Sequence, residues 1–232
     1  MRTSVLNQLT VFVWRMIQLS FFLAIANTVL VATLLFIPLV LVTLPAHVIS
    51  LLLLVPSLVA LMLTIKRMDE STTSILKLYI KCYREEFKGS LKYAVAYVLG
   101  ALILFLLFVF AQEEIERLSL IPLYFIIAIL LYVHLMFGIL MRINFIVDIK
   151  GTWRLGLYCI SKYPIHALFV LAGTFILVAI IPIIPFLIPM GIIPAAFYLF
   201  IATTKNMVSK ISEIVLPKNN EEDESIESEN DS

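Results

Sequence analysis

His134 is the one titratable side chain in the middle of a long uncharged run, Leu118–Met141. An imidazole so placed can relay a proton or contact a polar solute, because an ionisable group inside a bilayer is unfavourable unless it is used. The competing reading is a neutral ring hydrogen-bonded to a neighbouring helix. Asn27, inside Met16–Leu44, poses the same choice, with a helix–helix hydrogen bond as the favoured reading. Ser57, Thr28 and Thr64 can return their hydrogen bonds to carbonyls of their own preceding turn and need no partner. Glu85 and Glu86 are adjacent carboxylates, but sequence neighbours do not face each other on a helix, and Lys81 and Lys88 are the expected ion-pair partners. His47 and His166 are expected near opposite membrane faces and share no metal. HExxH, Walker A and GxSxG are absent. Cys82 and Cys159 lack CxxC spacing and read as reduced, buried or interfacial thiols. No catalytic, metal or cofactor site is expected, and the chain reads as a non-enzyme.

The elements that must position these residues are long apolar runs. The chain is 62% hydrophobic with mean hydropathy +1.04, whereas soluble domains are about 45–50% apolar. Uncharged stretches longer than about 18 residues read as membrane spans. They predict an all-α polytopic bundle with six transmembrane helices, near 16–44, 48–65, 93–112, 120–141, 165–181 and 186–203. The first is longer than a bilayer core needs, so tilt or a kink at Pro38 is expected, with an outside turn at Pro45–His47. It is too long for a signal-peptide core and is expected to stay in the mature protein. Pro182, Pro185, Pro189 and Gly191 divide the last apolar stretch into a hairpin or, alternatively, a re-entrant segment.

Two charged segments between spans are amphipathic. Over residues 74–92, Leu76, Tyr79, Ile80, Tyr83, Phe87 and Leu91 recur at helical spacing beside a stripe of Lys77, Lys81, Arg84, Lys88 and Lys92. This predicts a helix in the interface plane, apolar face in lipid and cations at headgroups. Residues 150–163 are similar, with Trp153, Leu157 and Ile160 on one side. Tyr79, Tyr83, Phe87, Lys88, Trp153, Arg154 and Leu157 are the candidate surface for a partner protein. A shift of 77 residues pairs Lys77, Leu78, Ile80 and Cys82 with Arg154, Leu155, Leu157 and Cys159, a weak internal echo.

Charge sets the expected orientation. Of seventeen Lys and Arg, all but Arg117 fall in segments that six spans place on the cytoplasmic side, with both termini there. Residues 219–232 hold seven acids (Glu221, Glu222, Asp223, Glu224, Glu227, Glu229 and Asp231) and no base, and read as a disordered acidic tail behind a 1–218 membrane domain. The remaining basic excess suits an anionic inner leaflet rather than nucleic acid.

Three features carry a family resemblance. They are the run Val55-Pro56-Ser57-Leu58-Val59-Ala60-Leu61-Met62-Leu63-Thr64-Ile65-Lys66, the acid Glu70, and the run Tyr79-Ile80-Lys81-Cys82-Tyr83-Arg84-Glu85-Glu86-Phe87-Lys88-Gly89-Ser90. With Arg15 and Asn27 in the first span, they resemble the YesL family of bacterial membrane proteins over most of residues 10–200. Ser57 stands where that family usually has Ala, and no glycine precedes Pro56. The resemblance implies a multi-pass protein of the bacterial cell membrane, associated with carbohydrate uptake. Its expected partners are the lipid bilayer and ABC transporter subunits or another membrane or cytoplasmic protein. It supplies no catalytic residues. A small secondary transporter or permease for a neutral solute is the alternative.

Overall fold

The computed structural model describes residues 2–38, 41–69, 73–113, 119–145 and 147–215, so the acidic tail and most of the 112–119 loop lie outside the described residues. Within them the chain is an all-α bundle. Its helices are α1 (Arg2–Ala26), α2 (Thr28–Phe36), α3 (Leu44–Arg67), α4 (Ile75–Glu113), α5 (Ile121–Asn144), α6 (Ile149–Lys162), α7 (Pro164–Ile180) and α8 (Ile192–Val215). Five of them, α1, α3, α4, α5 and α8, are long and apolar enough to cross a membrane. The pair α6–α7, bent by 95°, makes a sixth if taken as one broken span. This fits a multi-pass integral membrane protein.

The first apolar run breaks where a polar residue sits, not at the proline. Asn27 leaves helical geometry (φ −108°, ψ 21°), and its side chain donates back to the Leu23 carbonyl at 2.8 Å. No kink forms at Pro38, because α2 has already ended at Phe36 and Ile37 is extended, the conformation a following proline favours. Pro45 does not make the expected turn either. It lies in the first turn of α3, where its missing N–H has no intrahelical partner to lose.

Helix α3 is the centre of the bundle, with every residue from Val55 to Ile65 buried. That explains a stretch of sequence apolar on all sides despite Pro56: its neighbours are helices rather than lipid on one side and protein on the other.

The expected boundary at Lys92 is absent. Helix α4 runs 39 residues without a break, about 58 Å at 1.5 Å per residue, far more than a bilayer core requires. Its two ends pair differently. From Glu86 to Tyr97 its partners on α5 descend from Arg142 to His134, the sense of an antiparallel pair. Before that, Tyr79 reaches Ser57 and Glu85 reaches Arg67, so partners on α3 ascend instead. Gly89 and Ser90 lie one turn after the change of partner at Glu85–Glu86, and the Ser90 hydroxyl bonds the carbonyls of Glu86 (2.6 Å) and Phe87 (3.2 Å), a pattern that bends helices. The apolar face of residues 75–82 covers α1 and α3 rather than lipid: Ile75, Leu78, Tyr79 and Cys82 are buried.

The two echoing segments diverge in their continuation. Residues 77–82 run unbroken toward a span, whereas residues 154–159 are cut off at Tyr163–Pro164, where α7 starts at a right angle. The last stretch forms two helices separated by residues 181–191, so α8 begins six residues later than expected and runs on through Lys205 and Lys210. Gly191 closes this turn with φ 95°. A Cβ there would meet the Met16 backbone at 2.7–2.9 Å, so glycine is required both by conformation and by contact.

Candidate functional site

A chain of buried polar side chains links α4, α5 and α6. The Tyr93 and Tyr97 hydroxyls, one turn apart on α4, lie 2.6 Å from each other. The Tyr97 hydroxyl also bonds His134 Nδ1 on α5. His134 Nε2 faces the Trp153 carbonyl on α6 at 3.0 Å. With one ring nitrogen against a carbonyl, Nε2 carries the proton and Nδ1 accepts from Tyr97. The rings add contact to the hydrogen bonds: Trp153 stacks on Tyr97 at 5.1 Å and tilts against His134 at 4.7 Å.

Two glycines make this chain fit. A Cβ at Gly138, one turn after His134, would overlap the Tyr93 hydroxyl, and a Cβ at Gly156 would stand 2.9 Å from His134 Nε2. The buried face of α6 is Thr152, Gly156 and Cys159, small residues that let helices approach closely. The expected apolar side is therefore displaced. Trp153 is half-buried, while Leu157 is 56% exposed. Asp148 starts the helix, accepting from the Gly151 N–H at 2.7 Å.

Beside the chain, α3, α4 and α5 enclose a cleft of about 440 Å³. Its lining is apolar and aromatic, including Val98, Phe105, Phe108, Phe125 and Leu135. Three tyrosines, Tyr97, Tyr124 and Tyr132, supply its side-chain hydroxyls. Tyr97 is engaged with His134 and Tyr93, and Tyr132 with Thr174 of α7 at 2.6 Å.

A second polar seam joins α1 and α2 to α3. Asn27 donates to Ser57 at 2.8 Å and accepts from it at 3.1 Å. Thr33 meets Ser50 at 3.1 Å. Ser57 thus takes a cross-helix partner in addition to its own Leu54 carbonyl; Thr28 bonds backward, and Thr64 bonds backward to the Ala60 carbonyl and also meets the Cys82 thiol of α4.

At one end of the bundle, charges pair across helices. Arg142 places Nε and Nη2 at 3.0 and 2.9 Å from Glu86 Oε2. Arg67 meets Glu85 at 2.9 Å, with Lys81 more distant at 3.9 Å. Lys66 donates to the Ile143 carbonyl and Asn144 Oδ1 at 3.0 and 2.8 Å. The expected Lys81–Glu85 pair is present but long, and the shorter partners of Glu85 and Glu86 are arginines remote in sequence. A polar cavity of about 460 Å³ lies at the same end, lined by Asn7, Gln8, Asp69 and Tyr198 among others, beside the Arg15–Asp69 ion pair at 3.1 Å.

The candidate partner surface divides. Tyr79 is buried beneath Phe22 and the Ser57 carbonyl, so it is not available to a partner. Tyr83 and Phe87 stack in series on it, half-buried, at 6.3 and 5.4 Å. Trp153 belongs to the His134 chain. Lys88, Arg154 and Leu157 point outward. Asn27 and His134 both face neighbouring helices. Sequence reasoning passed over Tyr93 and Tyr97; the signal that could have found them was two tyrosines one turn apart opposite a His-xxx-Gly on another span. Among the described residues no group of His, Cys, Asp or Glu could hold a metal ion. Comparison with protein families, curated proteins and solved structures finds no match to this chain.

Proposed function

We propose that this chain is a non-enzymatic accessory or regulatory component of a membrane assembly, associated with carbohydrate uptake as the YesL resemblance implies. In this reading its basic end faces the cytoplasm of a bacterial cell. One observation favours it over the carrier alternative: the cleft among the spans offers a sugar almost nothing to bind. A neutral polar solute that leaves water needs replacement hydrogen bonds, and two of the three tyrosine hydroxyls there are already engaged. The polar and charged groups gather instead at the bundle's basic end, where Lys88 and Arg154 are exposed.

The test is affinity purification from native membranes after mild crosslinking, with mass spectrometry of the associated proteins. A stoichiometric transporter subunit or sensor, lost in Leu157→Glu or Lys88→Glu, supports the accessory reading. A clean homo-oligomer whose proteoliposomes carry a labelled sugar faster than empty vesicles overturns it in favour of transport.

A further inference from the structure

The exposed face of α4 changes character at one point. Val95, Leu99, Ile103 and Leu107 form an outward ridge at four-residue steps, each 42–58% exposed. On a membrane span such a ridge faces hydrocarbon. Continuing down the same face, the next positions are Lys92, Lys88 and Arg84, all exposed, and among the described residues none of them has an acidic partner within ion-pair distance. Lys81 and Lys77 extend the stripe. Beside it a hollow of about 320 Å³ is lined by Lys77, Ile80, Lys81, Arg84 and Glu85. Glu85 is shared between Arg67 of α3 at 2.9 Å and Lys81 at 3.9 Å, so it leaves Arg84, Lys88 and Lys92 as the part of the row without an acidic partner among the described residues.

We propose that this face binds an anionic phospholipid, with the phosphate held by Arg84, Lys88 and Lys92 and an acyl chain lying along Val95, Leu99 and Ile103. Two independent features select this occupant. Charge complementarity requires an anion, since Arg84, Lys88 and Lys92 form an uncompensated run of cations. The direct junction with a hydrocarbon-facing ridge requires that the anion carry a hydrocarbon chain, which a soluble acidic protein or a free phosphate lacks. The hollow above Ile80 gives the rest of the headgroup room, and the long lysine stems can keep their ammonium groups at the headgroup level while covering apolar surface. This site needs no protein partner; it shares Lys88 with the proposed partner surface, so it is tested on the purified chain alone.

Native mass spectrometry of the full chain, exchanged into micelles holding equal phosphatidylglycerol and phosphatidylcholine, tests it directly. Wild type is expected to retain phosphatidylglycerol preferentially, and the triple variant Arg84→Gln/Lys88→Gln/Lys92→Gln to retain roughly a hundredfold less, since three basic side chains near an anionic surface at about 1 kcal/mol each make about two decades of affinity. Lys205→Gln/Lys210→Gln, which removes cations from α8, is expected to leave retention unchanged. Equal retention of both lipids by wild type overturns the proposal without any variant having to fold. So does displacement of the lipid by soluble glycerol phosphate, which would make the site one for a free anion.

Discussion

The polar side chains between α1, α2 and α3 are short, and those between α4, α5 and α6 are aromatic. That difference decides how each seam is held. Thr33, Ser50 and Ser57 each have a carbonyl of their own helix as a second partner, at 2.9, 2.8 and 2.7 Å. Asn27 likewise has Leu23. If the cross-helix bond is lost, each hydroxyl and the Asn27 amide N–H remain satisfied, and Asn27 Oδ1 alone loses its Ser57 donor. The Tyr93 and Tyr97 hydroxyls stand too far from their own backbone for such a fallback. Each depends on the next member of the chain, and the chain ends on a backbone carbonyl in a third helix. One seam is redundant and the other is serial, so equal numbers of hydrogen bonds confer unequal dependence.

The largest expected effect is at Gly138. Gly138→Ala drives a methyl into the Tyr93 hydroxyl, and Tyr93 is fully buried, so overpacking and the broken bond to Tyr97 act together. A loss of about 3 kcal/mol is expected in equilibrium unfolding in detergent or bicelles. A variant as stable as wild type would show that α4 and α5 are not this close.

Tyr97→Phe comes next. It orphans the Tyr93 hydroxyl and His134 Nδ1 while keeping the ring stack on Trp153, and about 2 kcal/mol is expected from the unpaired groups. If Tyr97→Phe/His134→Phe proves no worse than Tyr97→Phe alone, the serial nature of the chain is sharpened, because both ends of one bond then go together. Ser57→Ala, in the redundant seam, is expected to lose only about 0.6 kcal/mol. A Ser57→Ala loss equal to that of Tyr97→Phe would erase the contrast between the seams.

The smallest perturbation is chemical. Cys82 and Cys159 are both inaccessible at 0% exposure, whereas Leu157, two residues from Cys159, is 56% exposed. A maleimide should label Leu157→Cys within minutes and leave the two native thiols unmodified until the protein is unfolded, as read by intact mass. Rapid labelling of Cys159 in the folded protein would detach α6 from α5.

The all-α class and the presence of several long apolar helices were legible in the sequence because burial in lipid demands long uncharged runs, and these are local. Asn27 and His134 were legible for the same reason: a polar group in such a run needs a partner. Which partner it takes was not. Ser57 is thirty residues from Asn27, and Tyr97 is thirty-seven from His134. Helix boundaries set by charge were misplaced as well. Lys92 marks where the environment of α4 changes, but backbone hydrogen bonding has no reason to stop there, since lysine is a good helix former. The apolar stripe of residues 150–163 pointed to Trp153, Leu157 and Ile160; Trp153 and Ile160 do pack on the core, half-buried, but Leu157 faces outward and the fully buried positions are Thr152, Gly156 and Cys159. Hydrophobicity says which side chains avoid water, and in a membrane both lipid and protein satisfy that preference. Small size, not apolarity, then chooses the face that meets another helix.

What the sequence determined by itself is the solvent: long apolar runs with no charge in their middle specify helices long and apolar enough to cross a bilayer. Only the tertiary structure decided that α3 lies at the centre, that α4 is one helix with two kinds of neighbour, and that Tyr93, Tyr97, His134 and Trp153 form a single chain. The physical reason is range. Transfer into hydrocarbon acts on each residue and its near neighbours in sequence, whereas close packing and hydrogen bonds between helices depend on which faces meet, a choice made by residues dozens of positions apart.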